Sequence, residues 1–233
     1  MQIVAGRRGN LTTIDKGRAK RKGPGRPEGA SVVRDEILDA AERLFANLGY
    51  AGTTLREVSH EAKVTQALIN YYFGSKFGLF EEVFLRRGAA ISLERMENLE
   101  RLRADGQVPT VRDIVEAFLL PTAILRTTEQ GRHFLRLQAR LHTEPPQISY
   151  DLRTKAYGNS TQRYVEALQE AIPGLPDLDA NWRITLMIGS YLYAFSDTHR
   201  MEDRLPNTFD PDDWKSLIDQ VARFVVGGMS AGF

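Results

Sequence analysis

Nearly every segment of this 233-residue chain beyond residue 30 carries apolar side chains at intervals of three and four, and no stretch alternates convincingly as a half-buried strand would. That periodicity restricts the fold to the all-α class, because each amphipathic helix must bury its stripe against other helices. The chain is long enough, at 42% apolar, for one or two packed domains. It contains no cysteine, which excludes a disulfide scaffold, a thiolate metal site and a cysteine nucleophile, and fits a reducing cytoplasm. The longest strongly apolar run, Leu186 to Phe195, is about half of a membrane span and holds Gly189 and Ser190. The N-terminus has no apolar h-region, so no secretory leader is expected.

Residues 1–30 lack helical period and contain Gly6, Gly9, Gly17, Gly23, Pro24, Gly25, Pro27 and Gly29, which predicts a flexible arm. Residues 1–34 hold nine Lys and Arg against two acids, whereas the rest holds 22 against 28. A basic tail on an acidic body points to a polyanion at one end; a merely solvated leader is the reading that charge alone leaves open.

The spacing predicts nine helices. Ile37, Ala41, Leu44 and Leu48 mark the first, with Ser31 as its expected cap and Gly49 as its stop. Thr54-Leu55-Arg56-Glu57 reads as a capping box opening a short helix, and Val64-Thr65 breaks it and caps a second one through Tyr72. Ser75 then starts a long helix to about Arg103. Thr110-Val111-Arg112-Asp113 resembles another capping box, ahead of a helix that Pro121 should kink or end. Further helices carry Phe134, Leu137 and Leu141; Leu152 to Ile172; an almost wholly apolar segment at 180–198; and a segment at 211–226, with Asp210-Pro211-Asp212-Asp213 as its start.

Two short helices joined by a tight turn, between two longer ones, indicate a helix-turn-helix. Val64, Ile69 and Phe73 would face inward, leaving Gln66, Ala67, Leu68, Asn70 and Tyr71 for a groove. Gln and Asn pair bidentately with adenine, and apolar groups suit a thymine methyl. Thr53, Thr54, Thr65, Tyr72 and Lys76 could donate to phosphate, aided by helix N-termini. The competing reading makes the threonines ordinary caps and Tyr71-Tyr72-Phe73 part of a core. Pro24-Gly25-Arg26-Pro27 is similar to the minor-groove core Arg-Gly-Arg-Pro with its first Arg replaced, so Arg26, with Arg21 and Lys22, is expected to follow a minor groove.

The run Leu38-Asp39-Ala40-Ala41-Glu42-Arg43-Leu44-Phe45, then Leu48-Gly49-Tyr50, Thr53-Thr54, Val64-Thr65 and Ile69-Asn70-Tyr71-Tyr72-Phe73-Gly74-Ser75-Lys76, resembles the TetR family of transcriptional regulators over residues 31–84. The resemblance implies an all-helical homodimer: a basic arm at 1–30, a DNA-binding domain at 31–80 and a ligand-binding and dimerisation domain at 81–233. It implies base contacts from Gln66, Ala67, Leu68, Asn70 and Tyr71, and phosphate contacts from Thr54, Thr65, Tyr72 and Lys76. The sequence departs from the family where the turn glycine is Lys63, which would add a phosphate contact. It also departs where the recognition-helix tyrosine is Asn70 and where the acid after Ser-Lys is Phe77.

In the C-terminal half, Trp182, Leu186, Gly189 and Tyr193 with Trp214, Leu217, Val221 and Phe224 would form a four-helix interface between two copies; a monomer burying the same helix is the alternative. An apolar pocket is expected at Phe118, Leu119, Ile124, Phe134, Leu137, Leu141, Tyr157 and Tyr191, with Arg136, Arg140 or His142 meeting an anionic end or serving only as surface or capping groups. Phe134-Leu135-Arg136-Leu137, Arg140-Leu141-His142, Trp182-Arg183 and Met187-Ile188-Gly189 loosely resemble the subgroup that includes fatty-acid-responsive repressors, which implies an acyl-type effector. No cofactor is expected. The four histidines form no His-Glu-x-x-His site, and neither a P-loop nor a Gly-x-Ser-x-Gly elbow occurs, so catalysis is not expected. The function expected is a ligand-controlled repressor bound to double-stranded operator DNA; an architectural DNA-binding protein without an effector is the rival.

Overall fold

The computed structural model describes residues 28–196 and 199–231. The expected arm, with Arg21, Lys22 and Arg26, therefore lies outside the described residues except for 28–30. Those three already belong to α1 (Glu28–Gly52), so Ser31 sits inside that helix rather than capping it. In the sequence Pro27-Glu28 supplies an earlier start signal, a proline followed by an acid at the positive helix end. Gly49 adopts φ 76°, breaking the helical run where a residue without Cβ can do so at little cost.

α2 (Leu55–Glu61) and α3 (Gln66–Phe73) follow, then α4 (Lys76–Arg103), α5 (Val111–Ala123), a 3-10 turn (Ile124–Thr127), α6 (Glu129–Leu141), α7 (Pro146–Ala171), α8 (Asp177–Ser196), α9 (His199–Arg204) and α10 (Trp214–Met229). No strand occurs among the described residues. Pro121 stays inside α5, which ends two residues later by tightening into the 3-10 turn. α9 is a tenth helix that the spacing did not predict; it buries none of its side chains and so has no apolar stripe to reveal it. α10 begins three residues later than the Asp210-Pro211 signal predicts. Asp210 Oδ1 accepts from Asp212 N (2.9 Å) in a local turn, and Asp213 caps the helix by accepting from Ser216 N (3.0 Å).

Two apolar clusters organise the packing. One joins Ile37, Ala41 and Phe45 of α1, Val58 of α2, Ile69 and Phe73 of α3 and Leu79, Phe80, Val83 and Phe84 of α4 to Phe134, Leu137 and Leu141 of α6 and Leu152 of α7. The other fills the space between the lower end of α4 and α5, α7, α8 and α10. Packing thus runs straight across residue 80, and α4 belongs to both clusters. Polar groups reinforce the seam. Glu42, almost fully buried, accepts from Arg87 Nε (2.7 Å) and Arg86 Nη2 (3.3 Å), and Arg86 also reaches Asp39 (2.8 Å). Tyr50 N donates to Glu144 Oε1 at 3.0 Å, and Arg140 Nη2 donates to Asn47 O at 3.0 Å. Among the described residues, no helix is long and apolar enough to cross a membrane.

Candidate nucleic-acid interface

The N-terminal head is built from local backbone chemistry. Thr54 opens α2 with a reciprocal box: its Oγ1 accepts from Glu57 N (3.2 Å), while Glu57 Oε2 accepts from both Thr54 N and Thr54 Oγ1 (2.8 Å each). The turn after α2 closes with Lys63 N donating to His60 O (3.2 Å) and Val64 N donating to Ser59 O (2.9 Å), the paired bonds of a Schellman stop. That stop needs a left-handed residue, and Lys63 takes it at φ 54°. A non-glycine residue there is strained by roughly 1–2 kcal/mol. Thr65 caps α3 by accepting from Leu68 N (3.3 Å), and Ser75 caps α4 by accepting from Gly78 N (3.0 Å).

α3 buries Ile69 and Phe73 and exposes Gln66, Ala67, Asn70 and Tyr71, the last at 81%; Leu68 is half-buried. Four of the five residues expected to read bases therefore share the solvent side of one helix. Thr65 and Lys63 are exposed beside them. Tyr72 is half-buried, its ring edge-on to Tyr71.

The phosphate set needs correction. Thr53 is fully buried and its hydroxyl donates to Gly49 O (2.9 Å), so it closes the end of α1 and has no access to a phosphate. The Thr54 hydroxyl proton is already given to Glu57, whose carboxyl these Thr54 bonds and the nearby Lys76 hold below the usual carboxylate range. Lys76 is half-buried, with Nζ 4.5 Å above the Tyr50 ring and 3.4 Å from Ala51 O, so it ties α4 to the end of α1.

The pocket set also divides. Phe134, Leu137 and Leu141 are core residues of the seam, because α6 turns its apolar stripe onto α1 and α4. Phe118 is fully buried beneath Arg95. Arg136 and Arg140 line a separate cleft of ≈ 560 Å³ with Arg126, Arg132 and Phe195, and both reach Asn47 on α1. Of the expected set, Tyr157, Tyr191 and His142 line the central cleft, of ≈ 420 Å³, among α4, α6, α7 and α8. Its other lining includes Arg95, Gln138 and Arg153, which the sequence reading did not assign to a pocket. The signal was present: Arg95 lies between Ile91 and Leu99 at i, i+4, i+8, a cation on a buried stripe.

The interface set splits by helix. On α8, Trp182, Leu186 and Tyr193 are 57%, 63% and 62% exposed, and Gly189 has open space beyond its Cα. On α10, Leu217 and Val221 are buried in the chain's own core, and Trp214 packs half-buried against it. Their i, i+4 stripe marks the most apolar face, which this helix uses against α5 and α8. Only Phe224 of that set faces out, at 76%, near Gly227 and Gly228.

Three capped helices presenting an exposed polar face, set on a helical body, define a helix-turn-helix protein of the all-helical regulator class. Residues 37–83 match the family model for bacterial regulatory proteins of the tetR family, and residues 116–228 match that for the tetracyclin repressor-like C-terminal domain. Together the models cover more than half of the chain, and it belongs to the TetR family, whose members are transcriptional regulators rather than enzymes. The chain is 40% identical over 106 residues to the regulator AcrR of Shigella flexneri, covering 46% of this chain and 47% of that one. It is 29% identical over 92 residues to the regulator BetI of Vibrio campbellii, covering 40% and 45% respectively. The chain thus spans less than half the length of either relative. Its fold is shared with the fatty acid degradation regulator FadR of Bacillus halodurans, with a TM-score of 0.60 at 17% identity, covering 91% of this chain and 100% of that one.

Proposed function

We propose that this protein is a transcriptional repressor that binds operator DNA as a homodimer and is controlled by a small molecule in its C-terminal half. The observation that carries the proposal is the outward face of α3: Gln66, Ala67, Asn70 and Tyr71 exposed on a helix whose opposite side is locked into the core. Two of these side chains have the amide geometry that recognises adenine. Lys63 and Thr65, with the N-terminal amides of α3, would hold the phosphates. Arg21, Lys22 and Arg26 would follow the adjacent minor groove from the arm.

The dimer reading rests on α8. Exposed Trp182, Leu186 and Tyr193, with Phe224 of α10, leave apolar surface that a second copy would cover, and Gly189, Gly227 and Gly228 permit close helix approach. Two-fold symmetry would then set the recognition helices about 34–36 Å apart, one turn of duplex. The effector would act by binding one arrangement of the two heads better than the other, moving α4. An acyl-type effector finds only Val165 and Ile188 as aliphatic lining in the central cleft, which makes it the weaker fit.

Selection of duplexes from a random pool by the purified full chain tests this reading. The expected result is an inverted-repeat site with half-site centres about one helical turn apart. Recovery of DNA without any sequence preference would leave an architectural binder instead.

A further inference from the structure

Arg95 is a cation buried without an anion. It is 1% exposed. Its Nε donates to Phe118 O (3.0 Å), its Nη2 donates to Thr122 Oγ1 (3.1 Å), and its guanidinium carbon lies 3.5 Å from the Phe118 ring centroid. The rings of Tyr157 and Tyr191 lie 5.7 and 5.5 Å away. Among the described residues, no carboxylate pairs with it and Nη1 makes no hydrogen bond. Neutral acceptors and ring faces offset part of the cost of burying a charge, and an opposite charge is the group that would offset the rest.

A second incomplete group borders the same cleft. Gln138, 2% exposed, gives its Nε2 to Tyr157 Oη (2.9 Å) and Tyr191 Oη (3.5 Å), while its Oε1 is buried without a partner. Exchanging O and N of the amide would only move the vacancy to the other atom. A buried polar atom left unpaired forfeits its hydration without return and marks a place where a ligand gains by supplying the partner. The cleft has no Asp or Glu in its lining, and Arg153 adds a second cation. Three tyrosines, Tyr150, Tyr157 and Tyr191, supply flat walls.

We propose that this cleft binds a compact organic carboxylate with an aromatic or similarly flat body. Its carboxylate meets Arg95, its ring lies against the tyrosines, and a polar substituent reaches Gln138. The proposal rests on the ligand-controlled reading above and names the ligand class. Inorganic phosphate shares the charge but lacks the body, and long-chain acids share the carboxylate but not the shape.

Calorimetric titration of the full chain without DNA tests it. The probes are benzoate, phenylacetate, salicylate and 4-hydroxybenzoate, their neutral amides, octanoate and inorganic phosphate. At least one aromatic carboxylate should bind about tenfold or more tighter than its own amide, than octanoate and than phosphate. Arg95→Gln should remove that preference. Because Arg95 also bonds to α5, Ile188→Trp provides a second variant: it fills the cleft from a half-exposed position and should weaken the carboxylate about tenfold or more with the fold intact by circular dichroism. Amides binding as tightly as acids, an undiminished Ile188→Trp variant, phosphate or octanoate binding best, or no carboxylate binding at all would each overturn the proposal. The titration needs no operator, so a failure to select DNA would count against the regulator reading alone.

Discussion

The reading head and the central cleft treat polar side chains in opposite ways. In the head, Gln66, Asn70 and Tyr71 stand in water, and each helix is started and stopped by its immediate neighbours: Thr54 with Glu57, Thr65 with Leu68, Lys63 with His60. In the cleft, Arg95 and Gln138 are buried, and their partners come from α5, α7 and α8. A side chain on the outer face of α3 can therefore change with little effect on the core, whereas changes at Arg95 and Gln138 reach five helices, α4 to α8. On the proposed reading, the head could drift in the sequence it reads, and the cleft could transmit what it holds.

That contrast can be broken experimentally, and the largest effect belongs to the exposed face of α8. Replacing both Trp182 and Leu186 by Glu should leave each subunit folded, since both side chains are mostly solvated. Sedimentation should then show monomers, and operator affinity should fall by about 10²-fold or more as the two heads lose their linkage. Phe84→Ala comes next. Its ring is fully buried, 5.5 Å from that of Phe134 and 5.9 Å from that of Tyr157, at the joint of head and body. Urea unfolding should show a loss of about 3–5 kcal/mol. Amide exchange should quicken in α1 and α7 together; acceleration in one alone would mean that the two parts open separately.

Asn70→Ala should cost about 1–3 kcal/mol on the selected operator and relax one position, with stability unchanged. Equal losses on operator and random DNA would remove base reading from that residue. The smallest effect concerns His133, buried where α6 meets α1, with Nδ1 unpartnered. Burial first, then Arg136 and Arg43, push its pKa below the ordinary 6.5, against the opposing pull of Glu129 and Glu42. As pH falls through that ordinary value, the unfolded chain takes up the proton first, so stability declines on acidification toward the lower folded value. His133→Gln should flatten the dependence of the urea midpoint on pH across that window.

Caps and turns made the head legible, because a capping box or a left-handed stop is encoded within four or five residues. Ser75 marked the start of α4, and Ile69 and Phe73 separated inner from outer faces of α3. The stripe at Leu217 and Val221 was legible as apolar but not as facing inward, since periodicity finds a face without naming what covers it. The cleft was least legible. Residues 95, 118, 138, 157 and 191 are neighbours only after folding, and only the fold brings Asn47 to the Arg136 and Arg140 side chains.

α4 runs unbroken for 28 residues, about 42 Å at the standard rise, and Arg95 sits roughly 29 Å from its first residue. A tilt of about 5° pivoted there would swing the Ser75 end by roughly 2.5 Å, and symmetry would double the change between two copies. An anion held at Arg95 would therefore act through gearing: a displacement too small to disturb packing around the guanidinium would become, at the far end of the lever, a change in how two paired heads are spaced along a duplex.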